Sequence, residues 1–264
     1  MILFIFEGQR EETVYKSMEA LFFGSLPEGE SIVRIYDGNI YDLYSTYEQY
    51  GGDVDIVSLL KDRFAKRGKE IFPRETKVSD FAEIYLFFDF DFHHSKMPIG
   101  ELCDNVLKML SVFDNETETG KLYISYPMIE ALRYTKQLPD KNFYSYAVTR
   151  EQSKGFKDLV NSFSDYKNHR FITYKKGYSK DKYDLVKHNW LMLIKQNVEK
   201  ANWLCSGSLN LPDNIDDITP MKVFVSQHDD YILPHEIVAV LSAFAMFLYD
   251  YFGKGIIDSA RQSS

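Results

Sequence analysis

Cysteine is nearly absent. Cys103 and Cys205 are the only two in 264 residues, too few and too far apart for a metal knuckle or a disulfide framework, so a reducing cytoplasm is the expected setting. No apolar run reaches the ~20 residues of a membrane span. The opening run, residues 1–6, is too short and lacks the basic flank of a signal peptide. Positive charge is also scarce: 31 Lys and Arg against 39 Asp and Glu leave a net charge of -8, which excludes coating nucleic acid by bulk electrostatics and leaves only a local basic surface for that role. Apolar residues are plentiful at 45%, with 16% aromatic, enough to bury a large α/β core.

The most informative stretch is Ile84-Tyr85-Leu86-Phe87-Phe88-Asp89-Phe90-Asp91-Phe92-His93-His94. An unbroken aromatic and branched run reads as a strand buried on both faces, the kind found in parallel sheets. Alternate strand residues share a face, so Asp89 and Asp91 are expected to point the same way from its carboxyl end, within reach of one divalent cation. Solvated aspartates that cap the next helix are the plain alternative. The start of the chain follows the same pattern, in that residues 2–6 form an apolar strand, Glu7-Gly8 a tight turn, and Glu11-Glu12-Thr13-Val14-Tyr15 begins a helix. Glu7 thus lies at a strand's carboxyl end, where it can serve a ligand or simply favour the helix dipole.

Further strands are expected at residues 31–36 and 122–125, and helices at 40–50, 54–64 and 101–113. Pro127 suits the first position of a helix starting at Met128, which puts Glu130 in a first turn beyond a strand. Alternating strands and helices indicate a parallel sheet with helices on both faces, and such sheets bind ligands beyond the carboxyl ends of their strands. Glu7, Asp89, Asp91 and Glu130 all map to that edge from three strands, a convergence that calls for a cation.

In this order and spacing, strand-Glu7-Gly8-turn-helix followed by strand-Asp89-x-Asp91 resembles the Toprim fold of topoisomerases, primases and nucleases of the overcoming-lysogenization-defect type. Within that group, Glu7-Gly8 to Glu12 and Tyr15, with Ser125-Tyr126-Pro127-Met128-x-Glu130, is similar to the RloB-like proteins of bacterial defence loci. The resemblance covers roughly residues 1–135. Two departures stand out: Arg10-Glu11 where the family tends to have Lys-Thr, and Phe92-His93-His94 after Asp91, which opens a place for one histidine at the site. The resemblance implies Mg2+ or Mn2+ on Asp89 and Asp91, Glu7 as metal ligand or proton-transfer group, and Glu130 in a supporting catalytic role. Glu12, a helical turn along, reads as a surface carboxylate. It further implies phosphodiester cleavage of DNA or RNA, tRNA included, in a toxic anti-phage effector controlled by a companion ABC-type ATPase.

On this reading residues 1–140 form the Toprim-like α/β catalytic domain and residues 141–264 a mainly helical C-terminal region. Helices are expected at 151–163, 180–204 and 234–252, the last nearly apolar all round and therefore buried or at an interface. Such helices allow a homodimer. Between the first two lies a basic stretch interleaved with aromatics, carrying Lys167, Arg170, Lys175, Lys176 and Lys180; it can meet phosphates and stack on unpaired bases, or be a solvated hairpin. His169, His188, His228 and His235 lack metal-ligand spacing and read as surface or helix-end residues.

Two rival readings remain. In a haloacid-dehalogenase-type phosphatase, Asp89 would be the nucleophile, Ser125 the phosphate-binding serine, and Asp229-Asp230 after a strand at 222–225 the last metal ligands. That reading leaves Glu7-Gly8 unexplained. The other rival is a non-catalytic interaction partner of a defence ATPase.

Overall fold

The computed structural model describes residues 1–24, 30–94, 97–166 and 168–258. Strand β1 (Ile2–Phe6) is buried at every position and is flanked by β2 (Ser31–Ile35) and β3 (Glu83–Asp89). Strand β5 (Gly120–Ser125) joins beyond β3 and the two-residue β4 (Asp114–Asn115) closes the edge, giving the order β2-β1-β3-β5-β4, parallel except for antiparallel β4. The connections carry α1 (Gln9–Phe22), α2 (Ile40–Gln49), α3 (Ile56–Ala65) and α4 (Ile99–Val112). This is the mixed α/β architecture expected from the alternation of strand and helix.

One face of the sheet is aromatic. Phe4, Phe6, Tyr85, Phe87 and Tyr123 stack on it, with Tyr15 of α1 against Phe4 and Phe6 at centroid distances of 4.6 and 5.2 Å. The opposite face presents Leu3, Ile5, Leu86, Phe88 and Leu122, all buried as well. Burial on both faces explains why β1 and β3 read as continuous apolar runs rather than alternating ones.

The second half departs from the expected elements in three places. Residues 151–163 form two helices, α5 (Arg150–Lys154) and α6 (Phe156–Phe163), because Gly155 interrupts them. Among its described residues the basic stretch forms no hairpin: His169–Phe171 makes a 3-10 turn and irregular chain leads into the long α7 (Lys180–Ser206). Residues 234–252 are not one helix. After α8 (Pro220–Gln227), a π turn and the short α9 (Leu233–His235), Glu236 adopts φ 50, and Ile237-Val238-Ala239 becomes strand β7 (Ile237–Ala239), paired antiparallel with β6 (Ala147–Thr149). The β-branched residues Ile237 and Val238, with Val240 just beyond, favour the strand. Helix α10 (Ala243–Phe252) then lays Phe244 and Phe247 on the aromatic face of the sheet, 4.9 and 5.2 Å from Phe87. Residues 1–140 and 141–264 therefore share one hydrophobic core. Among the described residues no helix is long and apolar enough to cross a membrane.

Candidate active site

Glu7 is the first residue beyond β1, and its backbone is held from both sides: its N–H donates to the Phe87 carbonyl and its carbonyl accepts from the Asp37 N–H, each at 3.0 Å. Its side chain leans toward β3, where Oε2 accepts the Asp89 N–H at 2.9 Å. Gly8 caps α1 without a side chain, so Glu11 at the third helical position folds back and takes the Gly8 N–H on Oε2 at 3.1 Å. That half of a capping box buries Glu11 to 6% exposure beside Glu7. Sequence alone does not single out Glu11; a glycine followed three residues later by glutamate at a helix start is the signal that could have found it.

Asp89 ends β3 and is 9% exposed. Asp91 reaches the same edge by a route different from the expected strand alternation. The strand has stopped, and Asp91 takes a left-handed conformation at φ 47. Its aromatic neighbours hold the turn: Phe90 and Phe92 are fully buried and stack at 5.4 Å, while the Phe90 carbonyl accepts the Tyr41 hydroxyl at 2.6 Å. The Phe90 and Asp91 N–H groups donate to the carbonyls of Ser125 and Pro127. A left-handed non-glycine residue costs on the order of 1 kcal/mol, and aspartate is among the residues that tolerate it best.

The charges are poorly balanced. Burial first, then the charges of Asp91 and Glu11, push the Glu7 carboxyl up to about 9, against the lowering effect of the Asp89 N–H. Asp89 is held well above the usual carboxylate range by burial and by Glu7, Glu11, Asp91 and Glu130. Asp91 is raised by burial while His93 and His94 pull it back. Burial and Glu130 push Glu11 up to about 7, against the Gly8 N–H and Arg10. Among the described residues no lysine or arginine forms an ion pair with Glu7, Asp89 or Asp91.

Glu130 lies in a 3-10 turn (Ile129–Arg133) rather than the expected α-helix, and is 2% exposed. Arg10 meets its Oε1 at 2.9 Å; its Oε2 is buried with no hydrogen-bond partner among the described residues. Arg133 donates to Asn161 Oδ1 at 2.8 Å. His169, expected as a surface or helix-end residue, opens the 3-10 turn His169–Phe171 near Glu130: its Nδ1 is buried, and burial together with the charges of Arg133 and Arg10 lowers its pKa against the pull of Glu130. Glu12 sits in an ordinary helical pair with Lys16 at 2.7 Å.

Of the basic set, Arg170, Lys175, Lys176 and Lys180 are exposed, and Lys167 lies outside the described residues. Their segment is stapled to α1 through Ser17, whose Oγ takes the Tyr174 N–H at 3.1 Å and donates to the Tyr174 carbonyl at 3.3 Å. The strand that a phosphatase arrangement needs before Asp229 and Asp230 is instead helix α8, started by Pro220, and both aspartates are exposed on the π turn after it. Ser125 Oγ accepts the Ala243 N–H at 3.3 Å.

Hard carboxylate oxygens suit Mg2+ or Mn2+. Among the described residues, no three Asp, Glu, His or Cys side chains converge on a single ion position as they stand. Mutually repelling buried carboxylates without a cationic partner are chemically suited to such an ion. Comparison with family models, with curated proteins and with solved structures finds no match to this chain.

Proposed function

We propose that the chain is a Mg2+- or Mn2+-dependent nuclease of Toprim type. The observation that carries this reading is the charge imbalance at the carboxyl edge of the parallel sheet: Glu7, Glu11, Asp89 and Asp91, drawn from β1, α1 and the end of β3, crowd together without a lysine or arginine paired to Glu7, Asp89 or Asp91 among the described residues. Like charges so placed are held either by protons or by a metal ion. Asp89 and Asp91 would hold the ion, with Glu7 and Glu11 beside them. When bound, it supplies Lewis acidity and an activated water to a phosphodiester.

The chain's own groups do the rest. Glu7 Oε2 is committed to the Asp89 N–H, which leaves Oε1 as the atom to ligate or to hold a proton for the leaving oxygen. Arg10, more than half exposed, stands beside the acidic edge where a phosphate would approach. Exposed Arg170, Lys175, Lys176 and Lys180 offer the backbone contacts that the net charge of -8 denies the rest of the surface. Anti-phage defence, with a companion ABC-type ATPase holding the nuclease in check and a homodimer as its assembly, completes the proposal on the strength of the sequence resemblance.

The test incubates purified protein with labelled duplex DNA, single-stranded DNA and structured RNA in Mn2+, alongside a phosphate monoester. Cleavage of one polymer that disappears in Asp89→Asn and Glu7→Gln is expected. Phosphate release from the monoester, without polymer cleavage and lost only in Asp89→Asn, would favour the phosphatase instead.

A further inference from the structure

Arg150 opens α5, where a helix dipole disfavours a cation, so its placement needs another cause. The cause lies in the turn after β3. The Arg150 Nε donates to the Phe92 carbonyl at 3.1 Å, and its Nη2 donates to the carbonyls of His94 and Met97 at 2.7 and 2.8 Å. Three backbone carbonyls of one turn are gathered by one planar group. On the other side of Asp91, the Tyr41 hydroxyl holds the Phe90 carbonyl. Asp91 stands between these two holds in its left-handed conformation.

Arg150 is itself firmly placed. Its N–H donates to the Glu236 carbonyl at 3.1 Å, Thr149 before it caps α5 by accepting the Gln152 N–H at 3.1 Å, and Thr149 pairs with Ile237 across the β6–β7 ribbon. A segment far along the chain thus reaches back to the turn that carries Asp91.

We propose that Arg150 is the positioning residue of the metal site: its guanidinium fork fixes the turn after β3 so that Asp91 is presented beside Asp89 and Glu7. This rests on the metal-dependent reading above. A lysine, with one compact ammonium on a flexible stem, cannot reproduce the fork that spans three carbonyls. Loss of an outer group that orients a metal ligand typically weakens metal affinity about 10- to 100-fold.

Titration calorimetry with Mn2+ on the full chain tests this, using wild type, Asp91→Asn, Arg150→Met, Arg150→Lys and Arg150→Ala, with metal-free melting curves for each. Wild type binds, Asp91→Asn loses binding, and Arg150→Met binds about 10- to 100-fold more weakly while still melting cooperatively. Added methylguanidinium restores part of the affinity in Arg150→Ala. If Arg150→Met does not fold, Arg150→Lys carries the same expectation. An unchanged Mn2+ affinity in a folded Arg150 variant, even one that melts earlier, would reduce Arg150 to a structural residue and overturn the inference. Absence of binding by wild type would instead overturn the metal reading on which it rests.

Discussion

The two ends of the sheet treat their carboxylates differently. At the amino end, Asp250 of α10 meets Lys121 of β5 at 2.6 Å and accepts the Tyr123 hydroxyl, with both ionic side chains 18% exposed. At the carboxyl end, Glu7, Asp89 and Asp91 have no such cation among the described residues, and burial raises the pKa of all three. A carboxylate that serves the fold is supplied with its cation by the chain. At the carboxyl edge Glu130 has Arg10, whereas Glu7, Asp89 and Asp91 have no Lys or Arg partner among the described residues, and on the proposed reading a metal ion takes that place.

The largest effect expected from breaking this contrast is chemical. Asp89→Asn should lower metal-dependent cleavage by at least about 100-fold, because a metal-bearing oxygen is lost. The same change should raise metal-free stability by about 1 kcal/mol, the scale on which relief of a strained functional site stabilises a protein. Chemical denaturation in a chelator, run beside the cleavage assay, checks both signs. Lys121→Met should do the reverse: it strands Asp250, costs about 1–3 kcal/mol in the same denaturation experiment, and leaves metal affinity unchanged.

The contrast is legible in the sequence only in part. Continuous apolar runs announce β1, β3 and β5, and residues at or just past their ends, Glu7 and Asp89, fall where topology requires. Asp91 also reaches the edge, but strand periodicity cannot foresee that β3 stops at Asp89 and that a left-handed turn takes over. Glu11 and Arg150 are hidden because each acts through backbone groups, and a helix-opening residue looks alike whether it faces solvent or folds back. The strand β7 inside an apparent apolar helix shows the limit of periodicity: a short run apolar on all sides carries no period.

Acidity should separate the two ends next. Glu7 titrates at about 9 in the folded chain against an ordinary 4.5, so between these values the folded state keeps a proton that the unfolded state has released. Metal-free stability is therefore full below about pH 4.5 and falls as pH rises toward 9, with Glu11 acting in the same sense up to about 7. Mn2+ must displace those protons, so its affinity should tighten over the same interval. Melting curves from pH 5 to 9, in chelator and in Mn2+, should diverge as pH rises; parallel curves would count against metal at this edge. The smallest effect is expected from Arg10→Gln, which removes a mostly exposed partner from Glu130 and should cost about 1 kcal/mol or less in chemical denaturation.

The most direct measurement is Mn2+ binding by calorimetry at pH 8 to wild type, Glu7→Gln, Asp89→Asn and Lys121→Met. Binding by wild type and Lys121→Met, with loss in both carboxylate variants, is the expected result and would place the ion between β1 and β3. A folded wild type that takes up no Mn2+ at millimolar concentration, with nucleic acid also present, would contradict it and leave the carboxylates to protons alone.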